Sequence, residues 1–217
     1  MAAKRDNPYV WVTWVTKLMA GEAQCEWAAW FRSNHQDYKK VPSDFDLAKW
    51  TAEHTALVQT SATLLRNSQY AVTLENQNSF RLSGKNGVTL AGKADLVGAL
   101  NDTICIVDCK TGAPKHSDKI QVMIYLLVFP LIRPELKGKK FVGRVSYKDH
   151  SVDVPAEAVD DEFKKLFRRT MESMVFASSV PKVPSFSECR FCDIDVSECP
   201  ERVSTQSTQV QAEHDLF

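Results

Sequence analysis

The sequence predicts an α/β domain in which a mixed central β-sheet is flanked by helices. Two observations carry this prediction. Short apolar runs rich in Val, Leu and Ile, separated by turn residues, are typical of strands and occur at 70–75, 80–82, 88–90, 94–100, 103–109, 141–147 and 152–154. Longer segments with apolar residues at helical spacing lie around these runs, at 9–34, 47–66, 117–129 and 159–176. Helical and strand segments in alternation favour a sheet covered by helices.

The composition is that of an ordinary globular protein. The 217 residues are enough for one domain with its own hydrophobic core. We expect this domain to span residues 1–200. The 27 basic and 27 acidic residues balance, but the grouping of basic residues matters more for nucleic-acid binding than their sum. No apolar run reaches the length of a membrane span, and we expect no signal peptide and no membrane partner. Residues 201–217 are polar, which predicts a disordered tail.

Two predicted helices precede the strands. The second of them, at 47–66, carries Trp50, Leu57 and Leu64 on its expected apolar side and also contains His54. A histidine in this position can pack, face solvent or bind a metal, and the helix alone does not decide between these roles.

A predicted hairpin in the middle of the chain carries the functional interpretation. Its turn is Asn101-Asp102, and both residues tolerate a positive φ. Side chains alternate along a strand, so Asp108 and Lys110 point to the same face, and Asp95 can join them from the neighbouring strand. Two carboxylates and one ammonium would therefore meet at one end of the sheet.

These residue types suit one kind of chemistry. Two carboxylates and water suit a hard divalent cation such as Mg²⁺ or Mn²⁺. Such a cation polarises a phosphoryl oxygen and lowers the pKa of a bound water, which a neighbouring lysine can orient. The group therefore predicts metal-assisted phosphodiester hydrolysis. The alternative is that Asp108 and Lys110 form a surface ion pair of little energetic value.

A largely apolar helix follows the hairpin. We expect it to begin near Ser117, a preferred N-cap residue, and to end before Pro130. Gln121 and Tyr125 are four residues apart and share one face of this helix. The other residues are mostly apolar, so the helix should be buried and its polar pair needs a partner. The alternative to a functional pair is a buried Gln that hydrogen-bonds to the backbone.

Three cysteines lie close together near the C-terminus, as Cys189-Arg-Phe-Cys192 and Cys199. A Cys-x-x-Cys motif allows two thiolates to reach one metal, and Cys25 is the best candidate for a fourth ligand. The sequence does not separate a zinc site from an iron–sulfur cluster on four thiolates. The other two cysteines fall on the strand face opposite the carboxylates and are expected in the core: Cys105 and Cys109.

Basic residues group at three further places. These are Lys115-His116, the segment 137–140 and one side of the predicted helix 159–176. Each group could contact phosphates, but a charged side of an amphipathic helix is as readily a plain solvated face.

Together, these motifs resemble the PD-(D/E)xK nuclease superfamily and, within it, the RecB-like exonucleases. The resemblance implies the restriction-endonuclease-like form of the α/β fold, with a C-terminal Cys-rich segment that holds a metal cluster. It rests on three motifs: Gly92-Lys-Ala-Asp95, Asp108-Cys-Lys110-Thr-Gly112, and Gln121 with Tyr125.

The resemblance also implies a role for each of these residues. Asp95 and Asp108 would bind the metal, and Lys110 would be the catalytic lysine that activates or orients the attacking water. Further metal ligands would be His54 and the backbone carbonyl of Cys109. Two residues would position the DNA strand: Gln121 and Tyr125.

The cysteine pattern is similar to that with which AddB and the CRISPR-associated RecB-like nucleases (the Cas-four family) hold a [4Fe–4S] cluster. It implies that Cys25, Cys189, Cys192 and Cys199 ligate such a cluster and tie the N-terminal helix to the C-terminal segment. The six residues between Cys192 and Cys199 make a slightly longer gap than the family pattern has. A structural Zn²⁺ on the same thiolates is the alternative.

The expected function is a Mg²⁺- or Mn²⁺-dependent deoxyribonuclease, an exonuclease on single-stranded DNA or DNA ends, in recombination and repair, phage DNA metabolism or CRISPR adaptation. The rival is a non-cleaving DNA-binding or adaptor protein on the same fold. We expect a cytoplasmic protein of bacterial, archaeal or phage origin, with DNA and a helicase or integrase as partners. The terminal Asp215-Leu216-Phe217 resembles peptides that bind a sliding clamp, and the alternative is an unstructured tail.

Overall fold

A computed structural model describes residues 2–176 and 180–205, so the terminal Asp215-Leu216-Phe217 motif lies outside the described residues. The N-terminal part contains β1 (Ala3–Lys4), β2 (Tyr9–Trp11), α1 (Val12–Met19), α2 (Glu26–Asn34), β3 (His35–Gln36) and α3 (Leu47–Asn67). The central part contains β4 (Ala71–Leu74), β5 (Ser79–Ser83), β6 (Thr89–Lys93), β7 (Leu96–Leu100) and β8 (Thr103–Cys109). Then follow α4 (His116–Ile132), β9 (Lys140–Ser146), β10 (Ser151–Pro155), α5 (Asp161–Ser173) and α6 (Phe186–Cys189).

A mixed five-stranded sheet in the order β10-β9-β8-β7-β4 forms the centre of the molecule. β8 and β9 are parallel and are joined through α4, whereas the other neighbouring strands are antiparallel. A second sheet, in the order β2-β6-β5, packs against α1. The predicted α/β fold with a mixed sheet and flanking helices is thus confirmed. In the part of the chain that is described, no helix has the length and apolar character needed to cross a bilayer.

The alternation of side chains along β8 divides the core into two parts. Ile104 and Ile106 pack on the face that α4 covers, whereas Cys105 and Cys109 pack on the face that α3 covers. Asp108 therefore points toward α4, and the two cysteines lie in the core as predicted.

Close packing fixes α4 against the sheet. A Cβ atom at Gly143 of β9 would overlap the side chain of Val122, so only glycine allows this approach. The contact lies one residue from Gln121, and it therefore sets the depth at which that side chain meets β8.

Two helix predictions need correction. α4 does not end before Pro130 but continues to Ile132, with the Arg133 N–H bonded to the Phe129 carbonyl. A proline removes one helical hydrogen bond, and the burial of Phe129 offsets this cost. α4 does begin near Ser117, at His116, but its N-cap residue is Lys115, and the Ser117 hydroxyl donates instead to Glu22 on the loop after α1.

The apolar side of α3 is narrower than the sequence spacing suggested. Leu57 is buried against the sheet, but Trp50 is 39% exposed and Leu64 is 62% exposed. The predicted first helix is also divided, because residues 9–11 form β2 and a loop separates α1 from α2.

Candidate functional site

The antiparallel pairing of β7 and β8 brings two carboxylates to one edge of the sheet. Leu96 lies opposite Val107, so Asp95, just before β7, stands beside Asp108 near the end of β8. Asp95 Oδ2 accepts a hydrogen bond of 2.6 Å from the backbone N–H of Cys109. Both carboxylates are buried, so their charges need partners.

Lys110 and Gln121 hold the second carboxylate. Lys110 Nζ lies 2.6 Å from Asp108 Oδ2, and Gln121 Nε2 donates to Asp108 Oδ1 at 2.7 Å. Lys110 Nζ also donates to Gln121 Oε1 at 2.9 Å. The three side chains form a closed triangle, which fixes the ammonium as well as the carboxylate.

Tyr125 extends this network by one step. Gln121 Nε2 donates to Tyr125 Oη at 2.9 Å, and Tyr125 Oη donates to the carbonyl of Lys93 at 2.9 Å. Gln121 and Tyr125 are both buried. In this arrangement they orient Asp108 and Lys110, and their contact with DNA stays a prediction.

Tyr125→Phe should lower the free energy of unfolding by about 1–3 kcal/mol, because the change leaves the Lys93 carbonyl and the Gln121 amide without this partner. Urea unfolding with an unchanged slope would measure the loss. Tyr9→Phe, at the edge of the second sheet, is the matched control and should unfold like the wild type. If both variants are equally stable, the hydrogen bonds of the Tyr125 hydroxyl do not contribute to stability.

A second group of ligand atoms lies beside Asp95. His54 on α3, Glu75 after β4 and Asp95 each offer one ligand atom, and these atoms lie within 4.8 Å of one another. His54 Nε2 is 3.4 Å from Asp95 Oδ2. The backbone N–H of Glu75 donates to the carbonyl of Asp95 at 2.9 Å, which joins the two segments.

Glu75 is the residue for which the sequence supplied no role. The one signal for it was the resemblance, because RecB-like proteins often have a Glu at the end of the strand before the Gly-x-x-Asp motif, and this did not assign Glu75 a catalytic role. The antiparallel register places Leu74 opposite Leu96, so the next residue arrives beside Asp95. This proximity comes from strand pairing and is not visible in the local sequence.

One cavity of about 400 Å³ connects both groups. Trp50 and the loop after β8 line part of it, together with charged and polar residues from five parts of the chain: His54, Glu75, Lys93, Asp95, Asp108, Lys110, Lys115, Asp118 and Gln121. Cys109, whose carbonyl was predicted as a ligand, also lines the cavity. The structure thus brings together all the residues predicted for the nuclease site except Tyr125, which lies behind Gln121.

The charges in the cavity influence one another. Burial raises the pKa of Asp108, and the charge of Asp95 adds to the rise while Lys110 opposes it. Burial lowers the pKa of Lys110, but Asp108 and Asp95 more than offset this, so its pKa is raised and it stays protonated. The hydrogen bond with Asp95 raises the pKa of His54. These shifts show a site with an excess of negative charge that a cation would relieve.

The four predicted cluster ligands line a second cavity, of about 190 Å³, between α1, α2 and the C-terminal segment: Cys25, Cys189, Cys192 and Cys199. Burial raises the pKa of Cys199, while Lys182 lowers it and the neighbouring thiols of Cys189 and Cys192 raise it further. Two parts of the chain that are far apart in sequence, Cys25 and the segment 189–199, therefore converge on one cavity.

Hydrogen bonds hold the walls of this cysteine cavity. Glu188 accepts from the backbone N–H of Cys25 at 3.2 Å and so ties the α2 segment to α6. Arg202 donates to the carbonyls of Cys189, Cys192 and Ile194 at 2.8–2.9 Å. The loop that carries the Cys-x-x-Cys pair is thereby fixed in shape by the chain itself.

The predicted basic groups lie on the surface and are partly paired. Lys164 and Lys165 of α5 form ion pairs with Asp161 and Glu162 one turn earlier, which favours the solvated-face interpretation of this helix. Lys139 pairs with Asp102 at 2.6 Å.

Comparison with known proteins identifies the fold and the family. A family model described as the PD-(D/E)XK nuclease superfamily matches residues 10–197. A solved structure described as "Crystal structure of SSO0001" is similar, with 17% identity and a TM-score of 0.49, over 93% of this chain and 90% of that chain. The comparison with curated proteins found no match.

Proposed function

Because the chain belongs to the PD-(D/E)XK nuclease superfamily, we propose that it is a deoxyribonuclease that requires Mg²⁺ or Mn²⁺ and cleaves single-stranded DNA or DNA ends as an exonuclease of the RecB-like type. One observation carries the proposal. The His54–Glu75–Asp95 group and the Asp108–Lys110 pair line the same cavity. Metal ligands and a fixed ammonium are the two components that phosphodiester hydrolysis needs.

The residues fit a hard divalent cation. Asp108 Oδ2 is buried beside the ammonium of Lys110, at 2.6 Å. The carboxylates of Glu75 and Asp95 lie in the same cavity, so a divalent cation would offset negative charge that this one ion pair leaves unbalanced. Asp95, Asp108, His54 and Glu75 supply oxygen and imidazole ligands of the kind that Mg²⁺ and Mn²⁺ accept.

The chain's own residues then divide the work. A bound cation would supply Lewis-acid chemistry at a phosphoryl oxygen and would lower the pKa of water in the cavity. Lys110 Nζ, protonated and held by Asp108 and Gln121, orients the attacking water or stabilises charge that develops on the phosphate. Gln121 and Tyr125 keep Asp108 and Lys110 in register, and Gln121, which lines the cavity, helps to place the strand.

We propose that the cysteine cavity holds a [4Fe–4S] cluster, as the resemblance to the RecB-like nucleases implies. Four thiol side chains line this cavity, and four cysteine ligands suit such a cluster or, as the alternative, a single Zn²⁺. Cys25, Cys189, Cys192 and Cys199 would hold the cluster, which would supply a rigid link between the chain ends. We therefore propose that residues 1–200 act as one nuclease domain that the cluster closes.

Cleavage assays on defined DNA test the proposed function. End-labelled single-stranded DNA, linear duplex and closed circular duplex are incubated with Mg²⁺ or Mn²⁺, and with EDTA as the metal-free control. We expect products from the single strand and from duplex ends, none from the closed circle, and none in EDTA. Binding of DNA without any cleavage in either metal would instead favour the non-cleaving adaptor.

Glu75→Gln tests the metal site separately from the fold. Removal of one ligand charge should raise the Mg²⁺ concentration for half-maximal cleavage by about tenfold or more, since fewer anionic oxygens meet the cation. Glu157→Gln, on an exposed turn after β10, is the control and should leave the titration unchanged. An unchanged titration for Glu75→Gln would remove Glu75 from the ligand set.

A further inference from the structure

An exposed row of aromatic rings leads into the nuclease cavity. Phe45, just before α3, is 60% exposed, and Trp50 in the first turn of α3 is 39% exposed. Their ring centroids are 6.2 Å apart. Trp50 in turn stacks on His54, with centroids 4.9 Å apart and an interplanar angle of 21°. We call Phe45 and Trp50 the aromatic platform.

The position of the platform is not explained by the core. The buried face of α3 begins at Leu57, two turns after Trp50, and the first turns of the helix stand in solvent. A large aromatic side chain left in water gains nothing for folding, and grouped exposed apolar side chains mark a binding surface. Leu47, the first residue of α3, is also exposed, by 62%.

The platform is connected directly to the proposed metal site. Trp50 lines the cavity that holds Asp95, Asp108 and Lys110. The ring under it, His54, lies 3.4 Å from Asp95. A ligand that stacks one of its rings on the outer face of the platform can therefore place its adjoining part in the cavity, only a few ångströms away.

We propose that the aromatic platform stacks an unpaired nucleobase next to the scissile phosphate and so selects single-stranded DNA. This inference rests on the proposed function and names the substrate form for the same site. Every base has a π-face, so stacking on Trp50 and Phe45 is independent of sequence. In a duplex those faces are covered by neighbouring base pairs, and exposing one costs unstacking energy.

The charges around the platform are mixed, and the basic ones lie toward the cavity. Lys93 and Lys115 line the cavity beside Lys110, with Lys93 Nζ 3.5 Å from Glu75. Asp44 and Asp46 flank Phe45, and Lys49 follows on the first turn of α3. Glu53, the acidic residue closest in sequence to His54, is paired with Lys148. A base on the platform and a phosphate between these ammonium groups is the arrangement that single-strand binding grooves share.

Abasic scanning tests the platform. The Lys110→Ala chain, which should bind without cleaving, is titrated with labelled single-stranded oligonucleotides that each lack one base. We expect one position at which loss of the base weakens binding about tenfold. In the Lys110→Ala/Trp50→Leu chain, binding of the intact oligonucleotide should weaken by a similar factor, and the penalty for the missing base should disappear. Non-additivity of the two deletions reports direct contact.

Phe45→Leu guards against an indirect effect through His54, because Phe45 contacts Trp50 and not the histidine. Phe45→Leu should also reduce the loss of affinity caused by the missing base. Leu47 is as exposed as Phe45 but is not aromatic, so Leu47→Ala should change the affinity for single-stranded DNA by about twofold or less. Equal penalties in all chains would overturn the inference and leave the patch as a protein contact. If the wild type cleaves DNA and the platform variants bind it as the parent chain does, only this inference is refuted. If the wild type does not cleave DNA, the proposed function is refuted.

Discussion

The Lys110→Ala variant should lose cleavage by about a hundred- to a thousandfold and keep most of its affinity for DNA. Lys110 Nζ lies 2.6 Å from Asp108 Oδ2 and 2.9 Å from Gln121 Oε1. These contacts hold the ammonium at the cavity wall, where in the proposed mechanism it meets the attacking water or the phosphate. Because phosphate binding is shared among many basic residues, the loss of one has little effect on affinity.

Single-turnover cleavage and equilibrium binding separate the two effects. The rate is measured with protein in excess over end-labelled single-stranded DNA, so that binding does not limit it. The dissociation constant is measured in parallel by fluorescence anisotropy at the same salt concentration. We expect the rate to fall by the factor above and the dissociation constant to change by about threefold or less.

Lys119→Ala is the matched control for Lys110. Lys119 is an exposed lysine on the first turns of α4 and does not line the nuclease cavity. Its loss removes the same charge from the same region, so the cleavage rate should stay at the wild-type level. Full activity in Lys110→Ala would end the proposed mechanism, whereas equal losses in both variants would show a general effect of net charge.

The central hairpin could be predicted from sequence because its determinants are local. Asn101 does adopt a positive φ, of 53°, and the alternation along β8 separates Asp108 from Cys105 and Cys109. Turn type and strand periodicity depend only on neighbouring residues. The meeting of Asp95 with Asp108 follows from the two together.

The remaining features depend on contacts between distant segments. Glu75 joins the metal group through the register of β4 on β7, which no local pattern encodes. Pro130 remains inside α4 because packing on the sheet outweighs the lost hydrogen bond. Trp50 has helical spacing with Leu57, yet it is exposed, because the buried face of α3 begins only at Leu57. In each case tertiary packing determines the position of the residue, which the periodicity of the sequence predicted wrongly or did not predict.

With the proposed cluster, wild-type protein should carry about four irons per chain, and Cys199→Ser should lose most of this iron. Wild-type protein purified without oxygen should show a broad brown absorbance band near roughly 400 nm, and the variant should be nearly colourless. Cys199 lies in the cysteine cavity with Cys25, Cys189 and Cys192. A serine hydroxyl is a poor replacement for a thiolate at an iron–sulfur site.

The same variant should also lose stability. Near the cavity, Trp27 and Phe31 of α2 pack against Ile194 of the C-terminal segment, and this small cluster connects the two chain ends. Without the thiolate link the segment should open first, because few apolar contacts hold it. Limited proteolysis should therefore cut the variant near residues 180–205 before it cuts the sheet.

Cys105→Ser separates ligation from a general effect of cysteine loss. Cys105 is buried between β8 and α3, so its change affects packing but should leave the iron content and the absorbance band intact. Colourless wild-type protein with one zinc per chain would keep the four ligands and move the chain away from the iron–sulfur branch of the superfamily. Protein with neither metal would refute the cysteine assignment. Even then the nuclease proposal would still stand, because the His54–Glu75–Asp95 group and the Asp108–Lys110 pair depend on the sheet edge and α3 alone.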